Sequence, residues 1–179
     1  MRTLRAVRRF AAGPVPDEAL ADMLEVARWT GSARNRQPWE LVVVRSTETL
    51  AQLSRLGRFA GHLADAPLGV ALVLDRSSGS ANVFFDEGRL AERISLAAWA
   101  HGVGSCVATL FPDENVRAAG DLLGVPDGHS VRTVIALGYP ADEQARFLSA
   151  TPALQAVVPS GRKAVAELVS WERYGQRAP

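Results

Sequence analysis

At 179 residues, 47% hydrophobic and 22% charged, the chain is long enough for one compact domain with a sizeable core. A formal charge of +1 excludes the strong field that draws in nucleic acid or acidic membranes. A single cysteine, Cys106, excludes an intramolecular disulfide, and no apolar run reaches the roughly 18 residues of a membrane span. The basic N-terminus lacks the apolar core of a secretion signal, so the expected location is the cytoplasm.

In chain order, Pro14-Val15-Pro16-Asp17-Glu18 is a helix-start signal, with Leu20, Met23, Leu24 and Ala27 at helical spacing as far as about Trp29. The stretch Thr30 to Trp39 follows, and Leu41–Val44 reads as a buried strand. Thr47–Leu56 is a second helix. Asp65-Ala66-Pro67 breaks the chain before a strand at Gly69–Leu74, and Asp75–Ser80 is a loop or short lid. Phe84–His101 is the longest helical segment, with alanines on more than one face that predict burial against another large surface. Ser105–Leu110 is a strand, Pro112 opens a helix ending near Gly124, and Val131–Leu137 is a strand closed by Gly138-Tyr139-Pro140. Ala141–Pro159 has little periodicity and is expected to form an arm or lid. Helices with four or five strands among them predict an α+β or layered α/β domain.

The loop Gly31-Ser32-Ala33-Arg34-Asn35-Arg36-Gln37-Pro38-Trp39 carries the most information. Small residues let a planar ligand approach the backbone, and Asn35 and Gln37 each offer a donor and an acceptor to a heteroaromatic edge. The same residue types also make ordinary turns. Arg5, Arg8 and Arg9 fall within five positions near the start, and a helical reading puts Arg5 and Arg8 on one face, as a phosphate or polarised carbonyl requires. Only Lys163 among the 20 basic residues is a lysine, an excess of arginine that reflects genome composition and lowers the weight of any one of them.

Other candidates are weaker. Gly102-Val103-Gly104-Ser105 precedes a strand rather than a helix and reads as a helix C-cap, not a phosphate loop. Arg162-Lys163 precedes a short apolar helix holding Val165, Leu168 and Val169. It becomes a phosphate clamp only if the tail folds back on the N-terminal arginines. Cys106 reads as a buried small hydrophobe and His101 as a structural or surface histidine. His62, His101 and His129 have no metal-ligand spacing, and no side-chain nucleophile is supported, so neither a catalytic side chain nor a metal site is expected.

Taken in order, these segments resemble the FMN-dependent nitroreductase family over nearly the whole chain. The resemblance rests on Arg5-Ala6-Val7-Arg8-Arg9-Phe10, the loop Gly31–Trp39, Gly102-Val103-Gly104-Ser105, Gly138-Tyr139-Pro140 and Arg162-Lys163. It implies a nitroreductase-like α+β fold with a central mixed sheet flanked by helices, in one domain over 1–179 whose 141–179 segment closes on the flavin site. It implies a homodimer with the long central helix at the interface and FMN between subunits. Gly31, Ser32, Ala33, Asn35 and Gln37 would serve the partner's flavin, while Arg5, Ala6, Arg8 and Arg162 serve their own. The backbone near Ala108, Thr109 and Leu110 would lie by the flavin N5. A cation such as Arg8 stabilises the anionic reduced flavin, and a forked donor such as Arg162 suits its phosphate.

The implied activity is NAD(P)H-driven ping-pong reduction of nitroaromatics, quinones or a similar small-molecule acceptor. Other outcomes open to the family are dehydrogenation of peptide or heterocyclic products, flavin fragmentation, deazaflavin use, or flavin binding with decayed catalysis. Three departures from the family pattern stand out: Leu4 where relatives keep Arg, Ala6 for Ser, and Gly31-Ser32-Ala33 for Pro-Ser-Ser. At about 1–3 kcal/mol for each charged bond lost, they lower the expected FMN affinity.

Overall fold

Two largely buried strands, Leu68–Asp75 (β2) and His129–Gly138 (β4), form the middle of a four-stranded sheet. The computed structural model describes residues 4–77, 79–142 and 163–177. Trp39–Val44 (β1) pairs with β2 at one edge and Gly104–Thr109 (β3) with β4 at the other, giving the order β1-β2-β4-β3. The helices are Asp17–Arg28 (α1), Thr47–Leu53 (α2), Asn82–Ala100 (α3), Asp113–Leu123 (α4) and the short Val165–Leu168 (α5). Contacts divide the chain into two units, Met1–Ser149 and Ala150–Pro179. All of the sheet lies in the first.

Each face of the sheet carries its own core. Leu68, Val70, Leu72, Ile135 and Leu137 meet Met23 and Ala27 of α1 and Leu90, Ile94 and Ala98 of α3. Ala71, Val73, Val131, Val134 and Ala136 meet Leu50 and Leu53 of α2, Leu63, and Ala119 of α4. Cover on both faces is why β2 is an unbroken apolar run rather than an alternating one.

The resemblance implies a mixed sheet, and the strands instead pair antiparallel throughout. The reason lies in one crossover. The 19 residues of α3 span about 28 Å, enough to return the chain from the end of β2 to its beginning. Thus β3 does run parallel to β2, but β4 inserts between them and pairs antiparallel with both. Among the described residues, parallel pairing survives only at a bridge between Ala6 and Ser105.

Two turns show how local sequence closes this path. Gly102 takes φ +70° after α3, the left-handed cap read from the sequence. Gly104 is needed for space instead. A Cβ there would stand 2.6 Å from the buried Val7 side chain, so its bareness lets the N-terminal segment dock on β3.

Candidate functional site

The N-terminal segment is not helical, so Arg5 and Arg8 do not share a helix face. Backbone pairing with β3 and with Tyr139-Pro140 just past β4 takes the place of helical bonds. Val7 N donates to Ser105 O at 2.9 Å, Ala11 N to Tyr139 O at 2.8 Å, and Phe10 bridges Pro140. This anchoring accounts for Gly138-Tyr139-Pro140, since a Cβ on Gly138 would strike Pro67 and Phe10 at 2.7 and 2.8 Å. Arg5 and Arg8 stay exposed, and Ala6 is half-buried against Ser105.

Beneath this segment lie Cys106 of β3 and His62, from the turn Gly61–Leu63, both buried. Burial raises the Cys106 thiol pKa above its ordinary value, and the Arg8 charge offsets part of that rise. Burial also lowers the His62 imidazole, and Arg8 pushes it the same way. Arg8 therefore places a positive field over this edge of the sheet. At the far end of β3, Thr109 is exposed and Leu110 is buried. The Leu110 N–H already donates to Arg132 O at 2.8 Å, so Leu110 offers a ligand its position and not its amide hydrogen.

The second group of site candidates sits on the α1–β1 connection. Arg34, Asn35 and Gln37 have φ of +56°, +54° and +49°, a region that asparagine tolerates but arginine and glutamine adopt at a cost. The turn is held by Gln37 N donating to Ser32 Oγ at 2.8 Å and by Gln37 Nε2 donating to Asn35 Oδ1 at 3.2 Å. Asn35 Nδ2 and Gln37 Oε1 have no partner among the described residues and lie on an exposed loop. Gly31 faces Arg89 of α3, whose Nη2 would be 2.8 Å from a Cβ there. Ala33 is exposed and Ser32 half-buried.

Within one chain these two groups belong to opposite edges of the sheet, β3 and β1. Three strand spacings, about 14 Å, separate the edges. Arg162, the remaining candidate, lies outside the described residues, as does most of the Ala141–Pro159 arm.

Sequence reasoning missed a cavity of about 270 Å³ beside the loop, lined among others by Arg34, Arg36, Pro38, Asn82 and Asp86. It joins the loop to the residues just before α3, which read in the sequence as a separate lid. The available signal was the adjacent acids Asp86-Glu87 near the start of α3; both are buried, at 3% and 4% exposure. Among the described residues, no cluster of three His, Cys, Asp or Glu side chains could hold a metal. No described helix is long and apolar enough to cross a membrane.

The family model "Nitroreductase family" matches residues 1–57 and 55–139. The chain belongs to the nitroreductase family. A protein of Archaeoglobus fulgidus named as an NADH dehydrogenase/NAD(P)H nitroreductase is 33% identical over 146 residues, covering 79% of this chain and 84% of its own. An NADH dehydrogenase of Thermus thermophilus is 30% identical over 175 residues, covering 78% and 84%. Among solved structures, the FMN-dependent nitroreductase of Clostridium difficile superposes with a TM-score of 0.79 at 23% identity, over 96% of both chains. That nitroreductase likeness establishes the nitroreductase fold for this α+β chain.

Proposed function

We propose that this member of the nitroreductase family is a homodimeric flavoprotein that binds FMN and uses NAD(P)H to reduce nitroaromatics, quinones or a similar small acceptor. The names of its relatives, NADH dehydrogenase, NAD(P)H nitroreductase and FMN-dependent nitroreductase, support that chemistry. The observation that carries the homodimer is the division of the candidate site between opposite sheet edges. A second copy supplies what one chain keeps apart: its Gly31–Gln37 loop completes the site that the first chain opens at Arg5, Arg8 and Thr109.

The donor set fits the cofactor. Arg5 and Arg8 are exposed guanidinium groups beside a strand edge, suited to a phosphate and to the charge that develops on a reduced isoalloxazine. The Asn35–Gln37 pair is prepositioned on a strained, exposed backbone, a conformation that ordinary turns avoid. Bound there, FMN supplies two-electron transfer between NAD(P)H and the acceptor. The protein's own work is binding, orientation and electrostatics. Arg8 stabilises negative charge near the β3 edge, and Val7 and Phe10 hold the arm in place. Asn35 and Gln37 orient a polar ring edge or ribityl chain, and the sequence resemblance adds Arg162, outside the described residues, as a further donor to the phosphate.

The outer face of α3 supports the dimer. Phe85 is 69% exposed and shares that face with Gly88, Arg89 and Glu92, an aromatic surface that a lone chain leaves in water. Obligate interfaces of this kind bury more than about 2,000 Å². The cytoplasm is the expected compartment. A second reading, flavin binding without turnover, is favoured by Leu4 and Ala6, which remove a cation and a hydroxyl from the phosphate end.

The test is steady-state oxidation of NADH and NADPH by purified, FMN-saturated protein with a quinone acceptor. Turnover with parallel-line kinetics supports the reading. A yellow protein that oxidises neither nucleotide supports the second.

A further inference from the structure

Along β4, strict alternation would put Val131 and Val134 on opposite faces, yet both belong to the layer beneath α2 and α4. The irregularity lies where Leu72 faces Thr133 and Val73 faces Val131, leaving Arg132 without a counterpart in β2. This bulge turns Arg132 to the α3 side of the sheet. Its Nη1 stands 3.9 Å from Glu87 Oε2, and its guanidinium carbon lies 5.7 Å from the centre of the Phe84 ring. Arg76, just after β2, covers the same ring at 4.1 Å.

Glu87 is the counter-charge that holds this arrangement. At 3.9 Å its contact with Arg132 is Coulombic and not a hydrogen bond, and its Oε1 has no partner among the described residues. Arg132 thus keeps its N–H donors for another group, with its side chain 50% exposed. The bulge is also tied to the β3 end, since Arg132 O is the acceptor for Leu110 N–H.

We propose that Arg132, Arg76 and Phe84 form a subsite for an aromatic anion beside the Thr109–Leu110 strand end. Two guanidinium groups attract a carboxylate or phosphate, and the phenyl face and guanidinium planes stack against the attached ring. A neutral aromatic gains only the stacking, and an aromatic cation is repelled by both arginines. That the subsite neighbours the redox centre rests on the FMN reading; the binding itself does not.

The experiment is calorimetric titration of the purified protein with 2-naphthoate and with the neutral 2-naphthalenemethanol. The carboxylate is expected to bind about tenfold more tightly, the worth of one charge-assisted bond. Arg132→Gln should bring the ratio near one, and Arg132→Lys should restore part of it. Titration with 2′-AMP against adenosine identifies the source of the anion. An Arg132-dependent preference there points to the phosphate of a nucleotide donor, and one confined to naphthoate points to an acidic acceptor. Equal binding of the two naphthalenes, no binding of 2-naphthoate, or a ratio unchanged in Arg132→Gln overturns the subsite. The visible spectrum of the same samples separates the two readings. A colourless protein that takes up no FMN yet keeps the naphthoate preference contradicts the flavin site and not the subsite.

Discussion

Gln37 donates from Nε2 to the Asn35 side-chain oxygen at 3.2 Å, and both residues sit at positive φ. The bond links two left-handed positions, of which Gln37 is the strained one, into one polar edge on an exposed loop. The proposed function gives this edge a binding role. Gln37→Gly should therefore raise resistance to denaturant, by about 1 kcal/mol of relieved strain, while flavin retention falls. Denaturant unfolding and FMN titration of the same protein check both halves. A variant that binds FMN as tightly as the parent shows the loop to be a plain turn.

Asn35→Leu makes the complementary test. It removes the acceptor for Gln37 and the amide offered to the ligand, and leaves both cores untouched. FMN affinity should fall by about 1–3 kcal/mol with no change in sedimentation.

Gly104 ties the arginine-bearing segment to β3. Gly104→Ala forces a methyl group into Val7, with a destabilisation of about 1–3 kcal/mol. The segment should loosen before the sheet does. Protection of the Val7 and Ala11 amides from hydrogen exchange should fall well ahead of protection in β2 and β4.

His62 gives the pH dependence a sign. Burial, reinforced by Arg8, holds its folded pKa below the ordinary 6.5, so the unfolded chain binds the proton more readily. Stability is complete above about pH 6.5 and declines as the pH falls below it. His62→Gln should flatten that decline below about pH 6.5, measured by denaturant unfolding. A decline unchanged by the substitution assigns it to other groups.

The sequence resemblance assigns the cofactor phosphate to Arg162, helped by Arg5, with Leu4 in place of a further cation. Arg162→Ala should weaken FMN binding by about 2–3 kcal/mol and riboflavin binding hardly at all. Leu4→Arg should move FMN affinity the other way. Equal losses for FMN and riboflavin in Arg162→Ala would place the phosphate elsewhere.

Periodicity and caps made most of the fold legible. The five main helical segments and four strands fall where the apolar spacing puts them, with ends differing by a few residues; β1, for example, begins at Trp39 and not Leu41. What failed depended on contacts distant in sequence. Arg5 and Arg8 have helical spacing, but Ser105 and Tyr139 supply the backbone partners that make the segment extended. The antiparallel sheet follows from β4 inserting between β2 and β3, which no local pattern encodes. The Arg132 bulge shows only as a slipped register against β2. Among the candidate site residues, the Gly31–Gln37 loop was legible because its composition is unusual, whereas Glu87 and Arg132 carry no motif.

Sedimentation velocity of the purified, FMN-saturated protein, followed at the flavin absorption band, shows whether the flavin site is shared between two copies. The flavin absorbance should sediment with a species of twice 19.2 kDa. Flavin travelling with a single 19.2 kDa chain, or remaining free while the protein sediments colourless, would contradict a site shared between two copies.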